Sequence, residues 1–138
     1  MLEIPDEWKA LLDRRQQADL VVAWAIGATS NSNSIVLVRQ GFLVGRGVAQ
    51  PSRVLASKVA LLHARENGHE KSIPQCVAYS DSFFPFDDAP TVLAEAGVKV
   101  IFATSGSIND KAVRKTCERL GVTLLQLDDR VARGFFGH

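Results

Sequence analysis

Cysteine is scarce in this sequence, with only Cys76 and Cys117 among 138 residues. They lack partners at metal-ligand spacing and follow no secretory leader, so two reduced, buried thiols in a cytoplasm are expected rather than a disulfide framework or a metal site. Excess charge is missing too: 16 Lys and Arg against 15 Asp and Glu leave a net +1. That is too little for the broad positive field that phosphate backbones require, so nucleic acid is not an expected partner. The longest apolar run, from Ala18 to Ala28, is interrupted by Asp19 and Gly27. It is too short to cross a bilayer and reads as buried helix, so no membrane partner is expected. The histidines His63, His69 and His138 are scattered. They make neither a metal site nor a base-and-nucleophile pair. The zinc-deaminase signature, a Walker loop and a GxGxxG after a strand are all absent as well.

What remains is an ordinary globular composition, 46% apolar and 22% charged. It suits one domain over residues 1–138 that buries a single core without staples. Apolar spacing predicts a helix from Asp6 to Ile26, with DRRQQ as a solvated break. The β-branched run Ile35 to Arg39 reads as a strand, Gly41 as a turn, and Phe42 to Val48 as a second strand whose Gly45 and Gly47 leave room for a bulge or a close neighbour. Ser52 caps a helix that runs from Val54 to Asn67, where Gly68 stops it. A charged surface loop, HEKS, then leads to a strand from Gln75 to Tyr79. The loop SDSFFPFDD, a short helix from Pro90 to Ala96 and a strand from Val98 to Ala103 come next. Ser107 and Asp110 have the form of a capping box before the helix Asn109 to Leu120, which Gly121 closes ahead of the strand Val122 to Leu127. Alternating strands and helices imply an α/β fold, a three-layer α/β/α sandwich around a mixed, largely parallel sheet.

Three loops fall directly after strands, where such folds place their sites: VGRGVAQPSR, SDSFFPFDD and TSGSIND. Phe83, Phe84 and Phe86 beside Pro85, with Asp81, Asp87 and Asp88 around them, suit a planar ligand or a subunit contact, or else rings folded into the core. Thr104-Ser105-Gly106-Ser107 before a helix suits an anion or a plain cap. Arg53 suits a carboxylate, a phosphate or an ion pair.

In order and spacing these segments resemble the family of aminoimidazole carboxamide ribonucleotide (AICAR) transformylase, whose pattern contains SNA before a strand, GQMSR before a helix, SDAFFPF, GGSIRDEEV and a terminal RHFRH. The corresponding segments here are SNSNSIVLV, VGRGVAQPSR, SDSFFPF, SGSINDKAV and RGFFGH. The match runs through nearly everything from Trp8 onward. It implies a cytidine-deaminase-like fold without zinc or any other metal, and kinship with the second half of the transformylase region. By position, the resemblance assigns Asn33, Arg53, Phe84 and Arg133 to the substrate, with Arg133 near its phosphate. It assigns Pro85, Phe86, Asp87, Ser105, Gly106 and Ser107 to the folate.

The departures are as informative. The family's catalytic Lys-His pair belongs to the half with no counterpart here, so no catalytic residue is assigned. Ala28, Thr29 and Asn31 stand where the pattern has KHVK-type basic or titratable groups, and Gly134 replaces a histidine. Formyl transfer needs a proton removed from a weakly nucleophilic amine, and no His or Lys is well placed to take it. The resemblance therefore implies formyl transfer from formyl-tetrahydrofolate, as co-substrate, to AICAR in purine biosynthesis, carried out as a homodimer or with a separate first-half protein. The alternatives are an inactive module that binds a purine nucleotide or folate, and a structural subunit whose FFPF and terminal FF are oligomer contacts.

Overall fold

A computed structural model of the chain describes residues 4–130. Arg133, Gly134 and the rest of the RGFFGH tail lie outside the described residues. The element order is α1 (Asp6–Lys9), α2 (Arg14–Ala28), β1 (Ile35–Arg39), β2 (Phe42–Gly47), α3 (Arg53–Glu66), β3 (Val77–Ser80), α4 (Asp88–Glu95), β4 (Val100–Ser105), α5 (Asp110–Arg119) and β5 (Thr123–Asp128). The first predicted helix is thus two. Asp13 takes the N-cap of α2, its side chain accepting from the Gln16 amide at 2.7 Å while the Gln16 side chain accepts from the Asp13 amide at 3.0 Å. This reciprocal pair starts a new helix within the stretch read as a solvated break. The predicted surface loop after α3 is a 3-10 helix, Glu70–Gln75, so β3 begins at Val77 rather than Gln75.

The strands form one sheet in the order β2-β1-β3-β4-β5. β1 is antiparallel to both β2 and β3, while β3, β4 and β5 are parallel, so β1 alone runs against the rest. Alternate strand residues point to opposite faces and build two cores. Ile35, Leu37, Ala78, Ile101 and Ala103 pack under α3, α4 and α5, joined by Leu61, Leu93 and Val113. Val36, Val38, Val77, Tyr79 and Phe102 pack under α1 and α2. There the ring of Phe102 lies 5.2 Å from Trp8 and 4.8 Å from Trp24. This is the expected three-layer sandwich. Among the described residues no helix is long and apolar enough to cross a membrane.

Asp19, an interruption of an apolar run in the sequence, is 2% exposed and has a structural task. Its carboxylate accepts from the amides of Gln40 at 2.9 Å and Gly41 at 2.8 Å, the two turn residues between β1 and β2. Both have positive φ, 53° and 76°, the geometry of a tight hairpin. Gly45 and Gly47 serve the close approach of α3. A Cβ on Gly45 would lie 2.3 Å from the Ala60 carbonyl oxygen, and one on Gly47 would lie 2.1 Å from that of Ala56. The bulge is present as well, since Leu37 pairs with Gly45 but Val38 with Leu43, leaving Val44 over.

Both thiols are buried and free. Burial pushes Cys76 up to about 12 and Cys117 up to about 11. Native protein at pH 8 is expected to leave both thiols unreacted with a chromogenic disulfide reagent until denaturant is added; prompt native labelling contradicts this packing. Gly47→Ala is expected to cost about 1–3 kcal/mol by forcing α3 off the sheet. Urea unfolding checks it, and an unchanged midpoint contradicts the close contact.

Candidate functional site

β1 begins where β3 ends, with Ile35 paired to Ser80. The loop ahead of β1 therefore shares one rim of the sheet with the loops that leave the carboxyl ends of β2 and β3, the rim at which open α/β sheets place ligands. Three segments meet there: Asn33 and Ser34 ahead of β1, Arg53 opening α3, and Ser80 with Asp81 closing β3.

Arg53 organises them. Only 7% of it is exposed. Nη1 donates to the Asp81 carboxylate in a close ion pair and to the Ser80 hydroxyl at 3.3 Å. Nη2 donates to the Asn33 side-chain oxygen at 2.6 Å. The same Asp81 oxygen accepts from the Ser34 amide at 2.8 Å, and the Asn33 side chain donates to the Gln50 carbonyl at 2.9 Å. Burial pushes the Asp81 carboxyl up, but the Arg53 guanidinium and hydrogen bonds from Ser32, the Ser34 amide and Arg53 outweigh it, holding the group below the usual carboxylate range. An ionised Asp81 is what a buried guanidinium requires.

Beside this network lies a cavity of about 450 Å³, a size suited to small ligands. One wall is Asn33 with Pro51, Ser52, Arg53 and Val54; the other is Ser82, Phe83, Pro85, Phe86 and Asp88. Ser52 caps α3 as expected, accepting from the Leu55 amide at 3.1 Å. The walls thus combine ring faces and prolines with a few polar groups.

Of the residues assigned from sequence, Asn33, Arg53, Pro85 and Phe86 come together at this cavity. Two others are displaced by one position. Phe84 turns inward, 1% exposed, and joins the core under α3 to α5, which leaves Phe83 facing the cavity. Asp87 is engaged elsewhere, accepting from the Thr116 hydroxyl at 2.7 Å, and Asp88 takes the cavity wall.

Ser105, Gly106 and Ser107 lie beyond the phenylalanine loop and do not line the cavity. Ser105 donates to the Leu127 carbonyl at 3.4 Å, Ser107 accepts from the Asn109 amide at 3.1 Å, and Gly106 donates to Asp110 at 2.7 Å. The anticipated capping box is therefore a looser pair of local bonds, with α5 starting at Asp110. The two loops do touch. Asn109 donates to the Pro85 carbonyl at 2.7 Å, and a Cβ on Gly106 would lie 3.6 Å from the Phe83 ring. Asp81 received no role from the sequence. Its place directly after a buried strand, facing a loop that holds an arginine, was the available signal. Among the described residues no group of three or more His, Cys, Asp or Glu side chains gathers to hold a metal ion.

Comparison with known proteins shows what the chain is similar to. The family described as AICARFT/IMPCHase bienzyme matches residues 6–63. The bifunctional purine biosynthesis protein PurH of Rippkaea orientalis is 35% identical over 129 residues, covering 91% of this chain and 24% of that protein. The PurH of Thermotoga maritima is 37% identical over 122 residues, 88% of this chain and 26% of its own length. That of Mycobacterium marinum is 41% identical over 106 residues, 77% of this chain and 19% of its own length. The chain thus spans about a fifth to a quarter of the length of these relatives. Among solved structures, a diaminohydroxyphosphoribosylaminopyrimidine deaminase/5-amino-6-(5-phosphoribosylamino)uracil reductase of Thermotoga maritima superposes with a TM-score of 0.57 at 13% identity, covering 91% of this chain and 40% of that one. This likeness speaks for the fold alone, a cytidine-deaminase-like one.

The buried pair carries two measurable consequences. Arg53→Met leaves the Asp81 charge without its counter-ion and is expected to cost about 3–5 kcal/mol in urea unfolding. Because Asp81 is depressed in the folded state, its contribution is full above its unfolded value of roughly 3.9 and is lost as pH falls through the folded value. The stability gap between wild type and Asp81→Asn should therefore narrow on acidification below about pH 4. A gap that is constant with pH contradicts an ionised, paired Asp81.

Proposed function

Since this chain is a homologue of part of the AICARFT/IMPCHase bienzymes, we propose that it is a component of AICAR formyl transfer in purine biosynthesis, working as a homodimer or with a separate first-half chain. The observation that carries this reading is the cavity between Asn33 and Arg53 on one side and Phe83, Pro85 and Phe86 on the other. Aromatic and proline faces suit a planar ring, and the amide and guanidinium suit its carboxamide. In the reaction, the ring amine attacks the formyl carbon, the bond from that carbon to the folate nitrogen breaks, and the amine proton passes to the departing folate. The residues lining the cavity include neither His nor Lys. The group that moves this proton is assigned to the other chain. The phosphate of the substrate is assigned to Arg133 and to that same partner, and formyl-tetrahydrofolate to the side of Pro85 and Phe86.

A second reading is favoured by the same lack of a base: a module that binds AICAR or a related purine nucleotide without turning it over. The two separate cleanly. Isotope-traced formyl transfer is expected from the homodimer or once a first-half protein is added, and calorimetry is expected to register AICAR binding to this chain alone. Binding without transfer under any pairing selects the module, and no binding at all overturns both. Phe86→Ala, on a ring that is 62% exposed, is expected to weaken formyl-tetrahydrofolate binding by about tenfold with little effect on folding.

A further inference from the structure

Asp81 is absent from the cavity lining, yet two of the polar side chains on its α3 side, Asn33 and Arg53, depend on it. A guanidinium carries five N–H groups. In Arg53, both hydrogens of Nη1 are committed to Asp81 and Ser80, and one of Nη2 to Asn33. These bonds use neither the second Nη2 hydrogen nor that of Nε, on a side chain that lines the cavity. The Asn33 oxygen is occupied by Arg53 and its amide by Gln50, so this side chain is locked in the same orientation. Asp81 also holds the Ser34 amide, fixing the end of the loop that carries Asn33. With a carboxylate in contact, the arginine presents direction without net charge, and Asp88 on the opposite wall adds a negative group.

We infer that Asp81 is a positioning residue that sets both the orientation and the charge of Arg53, so that the cavity takes an uncharged ring carbonyl in preference to a carboxylate. A carboxylate placed there would face Asp81 and Asp88 across a guanidinium already neutralised, whereas a carboxamide oxygen accepts the two remaining N–H groups without that repulsion. This rests on the reading that the cavity receives an aminoimidazole carboxamide.

The test is calorimetric titration of the full chain with AICAR and with the analogue that bears a carboxylate in place of the carboxamide. Wild type is expected to prefer the carboxamide. Asp81→Asn, checked for folding by circular dichroism, is expected to move the ratio of the two affinities toward the carboxylate by about tenfold or more, as an uncompensated guanidinium would. Loss of packing alone would weaken both ligands together and leave the ratio where it was. Asp81→Glu keeps the charge but shifts the guanidinium, so AICAR binding is expected to fall by about tenfold while the ratio stays that of wild type. This second variant decides the matter if Asp81→Asn does not fold. A folded Asp81→Asn with an unchanged ratio, or an Asp81→Glu that binds AICAR like wild type, overturns the inference about Asp81 and leaves the functional reading intact. Wild type that binds neither compound overturns that reading, and the inference with it.

Discussion

The contact between the Arg53 guanidinium and the Asp81 carboxylate is where the loops of this molecule are tied together. Taking either charge out of water alone costs several kcal/mol, so each is tolerable only with the other in place and with further hydrogen bonds around the pair. Those bonds come from Asn33, Ser80 and the Ser34 amide, on segments that are 20 to 47 residues apart along the chain. Every one of these segments must return to the same corner of the sheet for the pair to form. The pair therefore acts as a condition on the fold as much as a product of it.

The rest of the architecture meets that condition. Reversal of β1 brings the SNSNS loop to the end of β3, and the parallel strands beyond bring the phenylalanine and serine loops to the same rim. Phe84 anchors the phenylalanine loop in the core, which holds Phe83, Pro85 and Phe86 along one wall. Asp19 fixes the far end of the hairpin from inside α2. Buried carboxylates thus hold the β1–β2 unit at both ends, each accepting from backbone amides.

Much of this was legible in the sequence because it follows from local chemistry. The β-branched runs, the Ser52 cap and the Gly41 turn act within a few residues, so their elements stand close to where spacing placed them. The paired glycines of β2 were read as a bulge or a close neighbour, and they serve as both. Illegible were the features decided by distant contacts. That Phe84 rather than Phe83 turns inward is settled by the core that receives it. That Asp81 and Asp19 are buried depends on amides and a guanidinium far along the chain. The serine loop was placed on the cavity by likeness, whereas its serine side chains bond to backbone groups of Leu127 and Asn109.

The glycine and alanine contact between β2 and α3 has a consequence for the site some distance away. Arg53 starts the helix that Ala56 and Ala60 press onto Gly47 and Gly45. At about 1.5 Å of rise per residue, the guanidinium root lies only about 5 Å along the helix axis from the first of these contacts. Thickening that seam by one methyl group would therefore act as a shim under a lever, lifting Arg53 away from its counter-charge. Residues with almost no side chain thus gauge the spacing on which the ligand chemistry relies, and drift in their size would be felt first as altered ligand choice.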